Sequence, residues 1–499
     1  MAKCTTYTSC LTLPLKVEPW QADVLNKRME IYRSIYNSFI GFKLKELEQL
    51  KRTREYRDII TEIDSYRPVD ENGRTKPWEK GKKKPERVIE LYKQLNALYK
   101  KWHFTEFGFI SDVARFREHY KDNVDSTTVS ATVAKPAWVA FDDLLFGSGR
   151  KVSFKKKDEI NVISNCANNS GLVYRDGYVV WKKHYKDYLK MKVRFDKNNA
   201  YEEEMMTHRV KYCRVVRKWI KNKYQYYVQI VLECQPVIKI NPDTGEIKHP
   251  LGKGRVGLYI GPKTLAYSSA TGVGIVELAD KVEDIEAEKR RLLRHMDRSR
   301  RATNPNNYNE NGTIRRGVKL EWVTSKEYER AAGKLRELYR KQADIRKMQH
   351  NILANQLLAL GDEFYVVKTD YKKLQERVSY PKDAEKTDTG KYKSKKRFGK
   401  TIADHAPAMF ITILDNKLKQ YGQDGVRMVN MPHEKGKQYS HLADDYIDVN
   451  PNSKFVELDG HKIRKELYSA FLVMNANEKI SENTFCEFLQ MCSASQGKA

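Results

Sequence analysis

Arg255-Val256-Gly257-Leu258-Tyr259-Ile260-Gly261 reads as a strand, and Leu265-Ala266-Tyr267-Ser268-Ser269 reads as the next. Downstream of this pair the chain turns helical. A charged helix is expected from about Lys281 to Arg301, and a longer one opens at Thr324, where Glu327 would complete a capping box. Leu335, Leu338, Ile345, Met348 and Ile352 are expected to form the buried stripe of that second helix, with Gly361 ending it. At about 1.5 Å per residue its length would be about 50 Å. Phe364-Tyr365-Val366-Val367 reads as a short buried strand, and the segment from Pro381 to Lys400 as a polar, lysine-rich loop.

Upstream, the chain divides into a helical and a strand-rich part. Tyr7 to Leu15 alternates polar and apolar residues, as a half-buried strand does. The pattern is helical from about Trp20 to Tyr120, with a polar break at Arg67-Pro68-Val69-Asp70-Glu71-Asn72-Gly73-Arg74. A further helical piece, Pro136 to Phe146, stops at Gly147-Ser148-Gly149. Leu172 to Trp181 is a hairpin about Asp176-Gly177, Tyr226 to Leu232 a strand, and Asp243-Thr244-Gly245 a turn. Trp138, Trp181 and Trp219 are expected in the core.

The chain has 499 residues, room for roughly 2–4 domains at about 150 residues each. With 93 Lys and Arg against 65 Asp and Glu, the net charge of +28 asks for a polyanionic partner, nucleic acid before others. A hydrophobic content of 40% is that of a folding chain, and a mean hydropathy of −0.72 argues against membrane spans. The opening residues carry no apolar run after basic ones, so a secretory signal is not expected. Seven scattered cysteines with no C-x-x-C pair fit a reducing, cytoplasmic setting and give no zinc ribbon.

Three basic elements stand out. On the expected helix, Arg290, Arg294, Arg298 and Arg301 share a face, and Arg300 lies beside them; only Glu286 and Asp297 are spaced to neutralise any of these. Guanidinium groups match phosphate in a bidentate way, so such a row suits a nucleic-acid backbone. Lys151, Lys155, Lys156 and Lys157 form a second cluster, with a solvated loop as the plainer alternative. Lys395, Lys396 and Arg397 belong to a third, where cations alternate with Tyr392 and Phe398 as single-strand binding segments do. His295 and His350 sit on charged helices, as neighbours of solvent or phosphate rather than metal ligands.

The run from Arg290 to Asn307 is followed by Asn311-Gly312-Thr313-Ile314-Arg315-Arg316-Gly317. Together with Leu338-Tyr339-Arg340-Lys341-Gln342, Lys395-Lys396-Arg397-Phe398-Gly399-Lys400 and Leu467-Tyr468-Ser469-Ala470-Phe471-Leu472, this pattern resembles the TnpB family of transposon-encoded, RNA-guided nucleases. It is similar to the branch without a C-terminal zinc finger, near the compact type V CRISPR effectors. The resemblance implies an α+β multidomain fold. A wedge strand at 1–20, a helical recognition domain at 21–125 and a wedge β-barrel at 126–250 would precede an RNase H-like RuvC domain at 251–499. Within that last domain it implies a bridge helix at about 281–301, a lid loop at about 376–400 and a replaced finger region at about 436–462. Arg290, Arg294, Arg298, Arg300, Arg301, Arg315 and Arg316 would then face nucleic acid.

Family chemistry uses three carboxylates on two divalent ions. The first would stand at Tyr259, the second at Val367 (or Lys368 with a one-residue slip), and the third at Glu466. A phenol with a pKa near about 10 and an isopropyl group cannot replace two carboxylates. The sequence therefore resembles a nuclease-dead member, as in the TnpB-like repressors (TldR). It implies no catalytic residues, no metal and no cofactor for binding, with a guide RNA and a double-stranded DNA target beside a short flanking motif as partners. Tyr120, Lys121 and Ser126-Thr127-Thr128 are candidate readers of that motif. Transcriptional repression by occupancy is the leading expectation. Two others stand beside it: a nuclease with carboxylates relocated to Asp370 or Asp362, and a platform recruiting host transcription machinery or another protein.

Overall fold

The computed structural model describes residues 7–68, 78, 83–147, 149–182, 188–196, 198–221, 223–241, 243–375, 398–430, 437–450 and 453–496. The protein is mixed α+β and divides into two compact units, Met1–Val237 and Ile238–Ala499. No described helix is long and apolar enough to cross a membrane.

The first unit joins long helices to a curled sheet. Helix Pro19–Arg52 buries Leu25, Met29, Tyr32, Tyr36, Phe39, Lys43, Leu47 and Leu50, a three-and-four spacing that puts them along one stripe. Lys43 is fully buried on this stripe because Asp112 (2.5 Å) and Glu46 (2.8 Å) neutralise its ammonium group. Seven strands follow in the order β2-β6-β7-β1-β5-β4-β3. They are β1 (Ser9–Lys16), β2 (Val162–Ser164), β3 (Leu172–Arg175), β4 (Tyr178–Lys182), β5 (Tyr188–Val193), β6 (Val210–Ile220) and β7 (Lys223–Leu232). β1 changes partner along its length: Ser9 to Pro14 pair with β7, and Leu15 and Lys16 with β5. The far edges approach where Asn165 Nδ2 (2.8 Å) and Cys213 Sγ (3.7 Å) both donate to the Leu172 carbonyl, so the sheet is nearly closed. Helices and sheet share one hydrophobic core, with Trp181 almost wholly buried and Trp138 packed at its margin.

The second unit is a three-layer sandwich. Its sheet runs β10-β9-β8-β11-β12, formed by β8 (Arg255–Ile260), β9 (Thr264–Ser269), β10 (Val273–Glu277), β11 (Glu363–Val367) and β12 (Arg427–Val429). β8, β9 and β10 are antiparallel, while β8, β11 and β12 are parallel. Strand alternation sends Val256, Leu258, Ile260, Phe364 and Val366 to one face, against helices Lys326–Leu358 and Pro407–Gln420. Tyr259, Tyr365 and Val367 go to the other, against helix Lys465–Met474. Gly257 permits that packing: a Cβ there would lie 2.2 Å from the Ala470 carbonyl oxygen and 2.3 Å from Met474 N.

Two expectations for helix Lys326–Leu358 need correction. Ser325, not Thr324, is the N-cap, its hydroxyl accepting from Tyr328 N at 3.1 Å. The buried row runs Ala331, Leu335, Leu338, Gln342, His350, Ala354 and Leu357, whereas Met348 and Ile352 are exposed. The row is polar in the middle because Gln342 and His350 each find hydrogen bonds there, so apolar periodicity alone picked the wrong face for the second half.

Candidate nucleic-acid interface

The arginine helix spans Glu286–Thr303, after a 3₁₀ turn at Asp280–Ile285. It is anchored on the long helix by Leu292, which packs with Ala331, Leu335 and Leu338. Buried Lys289 reinforces the anchor, donating to Glu286 and to Gln342 Oε1 (3.0 Å), while Gln342 Nε2 donates to Asp404 (3.0 Å). Lys400 completes this chain by pairing with Glu286 at 2.8 Å. Burial alone would raise the Glu286 carboxyl, but Lys289 and Lys400 outweigh it and hold it below its ordinary value.

With the helix fixed in this way, Arg290, Arg291, Arg294 and Arg298 are exposed and make no ion pair among the described residues. Arg300 and Arg301 differ, since both pair with Asp297 at 2.9 Å. Their guanidinium groups also stand over Trp322 (5.4 Å) and Tyr308 (5.3 Å), and Arg301 donates to the Gly312 carbonyl. These two arginines fasten the segment after the helix. Arg315 and Arg316 are exposed on that segment, Arg315 donating to the Tyr308 carbonyl at 3.3 Å.

Sequence reasoning passed over a second rail. Arg291 and Arg298 share a groove of about 430 Å³ with Arg330 and Lys334 of the long helix, floored by Leu292 and Ala331. Arg330 and Lys334 are spaced i, i+4, which was the available signal.

In the first unit, Lys151, Lys156 and Lys157 are exposed on a loop docked on the first long helix. Asn37 holds the Lys155 backbone by two hydrogen bonds (2.8 and 2.9 Å), and half-buried Lys155 places its Nζ 5.7 Å from the Tyr36 ring. Lys395, Lys396 and Arg397 lie outside the described residues. Of the candidate motif readers at 126–128, Ser126 is exposed, whereas Thr127 and Thr128 bond Asp125. Asp125 accepts from Thr127 (2.6 Å), Thr128 (2.6 Å) and Trp181 Nε1 (2.7 Å), and Thr128 also bonds the Tyr32 hydroxyl. Tyr120 and Lys121 engage Ser34 (3.3 Å) and Glu118 (2.8 Å). His350 is not a solvent or phosphate neighbour: it is fully buried, Nε2 bonded to the His405 carbonyl at 3.0 Å, and burial pushes its imidazole down to about 4.

The three positions that the resemblance assigns to carboxylates converge. β11 pairs with β8 through Val366 and Leu258, so Tyr259 and Val367 follow at the ends of adjacent parallel strands. Tyr259 and Val429 both pack against the buried cluster of Tyr365, Val367 and Val473. Glu466, in the first turn of helix Lys465–Met474, is held by Arg464 (3.2 Å) and accepts from Thr264 Oγ1 (3.2 Å). Burial, then the charge on Glu466, pushes the Tyr259 phenol upward. Tyr371 closes the site from beside it, donating to the Ile260 carbonyl at 2.9 Å, and burial pushes this phenol up to about 12.

As donors for divalent ions these residues offer one carboxylate, already shared between an arginine and a threonine, and two neutral groups. They do not fit a two-metal centre. Asp362 precedes β11 at its opposite end, roughly 16 Å away at about 3.3 Å per residue. Asp370 caps the short helix Tyr371–Gln375, accepting from Lys373 N at 3.0 Å. Among the described residues no group of three or more His, Cys, Asp or Glu side chains is placed to hold a metal. In the finger region, His441 bonds the Tyr468 hydroxyl (2.7 Å) and packs on Phe485.

No model of a known protein family matches the chain, and no curated protein does. Among solved structures, it is similar to a Cas12f1–sgRNA–target DNA complex at 10% identity, with a TM-score of 0.36 over 85% of this chain and 89% of that one. A CRISPR–Cas12f ternary complex matches at 11% identity and a TM-score of 0.23, over 95% of this chain and 100% of that one. A Cas12i1 R-loop complex before target DNA cleavage matches at 10% identity and a TM-score of 0.21, over 82% of this chain and 56% of that one.

Proposed function

We propose that the chain is an RNA-guided, sequence-specific double-stranded DNA-binding protein that does not cleave its target and acts as a transcriptional repressor. One observation carries the reading: the arginine helix holds its cations open while the three positions that the resemblance assigns to carboxylates offer one acid, bound by an arginine. An exposed row of guanidinium groups costs like-charge repulsion, which a polyanion relieves. The phenol, the valine and the single arginine-bound carboxylate leave no pair of metal ions a cage. In guided recognition base pairing reads the sequence and protein reads backbone and shape, so loss of the cutting site leaves binding chemistry intact. A bound complex that stays on a promoter blocks polymerase.

The test is to purify the protein from its native host or a host carrying its flanking DNA, and to sequence the RNA that accompanies it. Recovery of a discrete RNA with a constant scaffold and a variable end supports guided binding. Recovery of random cellular RNA sinks it.

A further inference from the structure

The chain between the arginine helix and the long helix carries an aromatic side chain that the proposed function does not use. Residues 304–325 hold little regular structure, yet two buried asparagines fix them. Asn304 Nδ2 donates to the Arg300 and Val323 carbonyls (both 2.9 Å), and its Oδ1 accepts from Val323 N at 2.8 Å. Asn307 Nδ2 donates to the Glu321 carbonyl at 2.6 Å, and Arg315 N donates to the Asn307 carbonyl at 3.0 Å. Tyr308 and Ile314 pair across a turn containing Gly312 (φ +73°), and the Ser299 and Ser325 hydroxyls meet at 2.8 Å. Both ends of the segment are thus pinned to the end of the arginine helix.

This bracing holds out Trp322. Its ring stands edge-to-face with Tyr308 (centroids 5.8 Å apart, planes at 84°) and beneath the Arg300 guanidinium (5.4 Å), and 41% of the residue stays exposed. Val323 beside it is 63% exposed. Scattered exposed apolar residues are ordinary, but an indole is the largest apolar side chain and the costliest to leave in water. The surroundings are cationic: from Asp297 to Ser325 the chain has six Arg and Lys against three Asp and Glu. Of these cations Arg298, Arg315 and Arg316 are exposed, and Arg300 and Arg301 share the single acid Asp297.

The combination selects the partner. An apolar protein segment would cover the ring and leave the cations unused. An unpaired nucleotide uses both, since every base has a π face and brings one phosphate with it. Bases within a duplex are already stacked on their neighbours, whereas those of a single strand have faces to offer.

We propose that Trp322 is a stacking platform for an unpaired nucleobase of a single-stranded polynucleotide whose phosphates meet the neighbouring arginines. The inference rests on the nucleic-acid reading of the arginine helix and adds to it a contact that carries no charge. Fluorescence anisotropy of the RNA-free full chain tests it, with a labelled single-stranded oligoribonucleotide and a blunt RNA duplex of the same length as probes. Trp322→Ala is expected to weaken the single strand about tenfold, with the salt slope and the duplex affinity unchanged, and Trp322→Phe to restore most of that loss. Repeating the titration with single-stranded DNA of the same sequence shows which polynucleotide supplies the base, namely the one whose affinity falls. Trp322→Phe also keeps the test valid if Trp322→Ala loosens the segment. It leaves a ring in place but removes the indole, so quenching of tryptophan emission by the single strand should shrink. Single-strand affinity unmoved by Trp322→Ala but lowered by Arg294→Gln overturns the platform and leaves the nucleic-acid reading standing. Equal losses on single strand and duplex, or quenching that Trp322→Phe leaves intact, also overturn it. Affinity that neither Trp322→Ala nor Arg294→Gln lowers overturns both.

Discussion

The arginine helix and the strand ends that carry Tyr259 and Val367 treat charge in opposite ways. Arg290, Arg291, Arg294 and Arg298 stand exposed with no ion pair among the described residues. At the strand ends, Tyr259 packs against the cluster of Tyr365, Val367 and Val473, and the acid beside it, Glu466, is held by Arg464. Charge is thus left open on the helix, while packing and one paired acid occupy the strand ends. Lys289 shows that the helix can neutralise a cation when the fold requires it, since its ammonium group meets both Glu286 and Gln342. The open arginines are therefore not a failure to find partners.

The contrast breaks most readily on the helix. Replacing Arg290, Arg291, Arg294 and Arg298 together with glutamine is expected to lower RNA affinity about a thousandfold near 0.15 M salt, about 4 kcal/mol, and to flatten the salt dependence by about 3 log units per decade. Fluorescence anisotropy across a salt series reads both, and the thermal midpoint should hold. An affinity change without a change in salt slope would break the contrast.

The next largest effect belongs to the closed site. Val367→Glu buries a carboxylate in the cluster of Tyr365 and Val473, and should cost about 3 kcal/mol at pH 8 and less at pH 5, where the new acid takes up a proton. Urea denaturation at the two pH values measures it. A variant as stable as the parent at pH 8 would mean that the site is open to water or ions after all.

A smaller effect concerns a buried imidazole on the long helix. Because the fold holds His350 neutral, with its imidazole pushed from 6.5 down to about 4, protonation favours the unfolded chain. Stability from this group is complete above about pH 6.5 and is lost as pH falls toward about 4. His350→Gln should flatten that decline in chemical denaturation, while leaving RNA affinity at pH 7.5 unchanged. The smallest effect is expected of Arg301→Gln, whose charge Asp297 already offsets: a change in affinity under about threefold, less than about 0.7 kcal/mol, against a clear loss for Arg294→Gln.

Much of this was readable beforehand where period and punctuation agree. The hairpin about Asp176-Gly177, the strand pair at 255–269, the arginine helix and the strand ending at Val367 all formed. The grouping of Tyr259, Val367 and Glu466 was what the family resemblance implied, whereas β10 and the parallel pairing that aligns the first two were not apparent in any local pattern. Local reading failed where a polar side chain displaced an apolar one from the core. His350 and Gln342 took buried positions on the long helix because the His405 carbonyl, Lys289 and Asp404 await them from other elements. Thr128 turned inward for the same reason, toward Tyr32 and Asp125.

The central claim is binding without cutting. The purified ribonucleoprotein, given a DNA duplex matched to its own RNA in Mg²⁺ or Mn²⁺, should retain that duplex in a gel-shift assay and leave both strands full length after prolonged incubation. Cleavage of either strand that Asp370→Ala abolishes would contradict the account, because it would place a working metal site where no group of three His, Cys, Asp or Glu side chains among the described residues is placed to hold one.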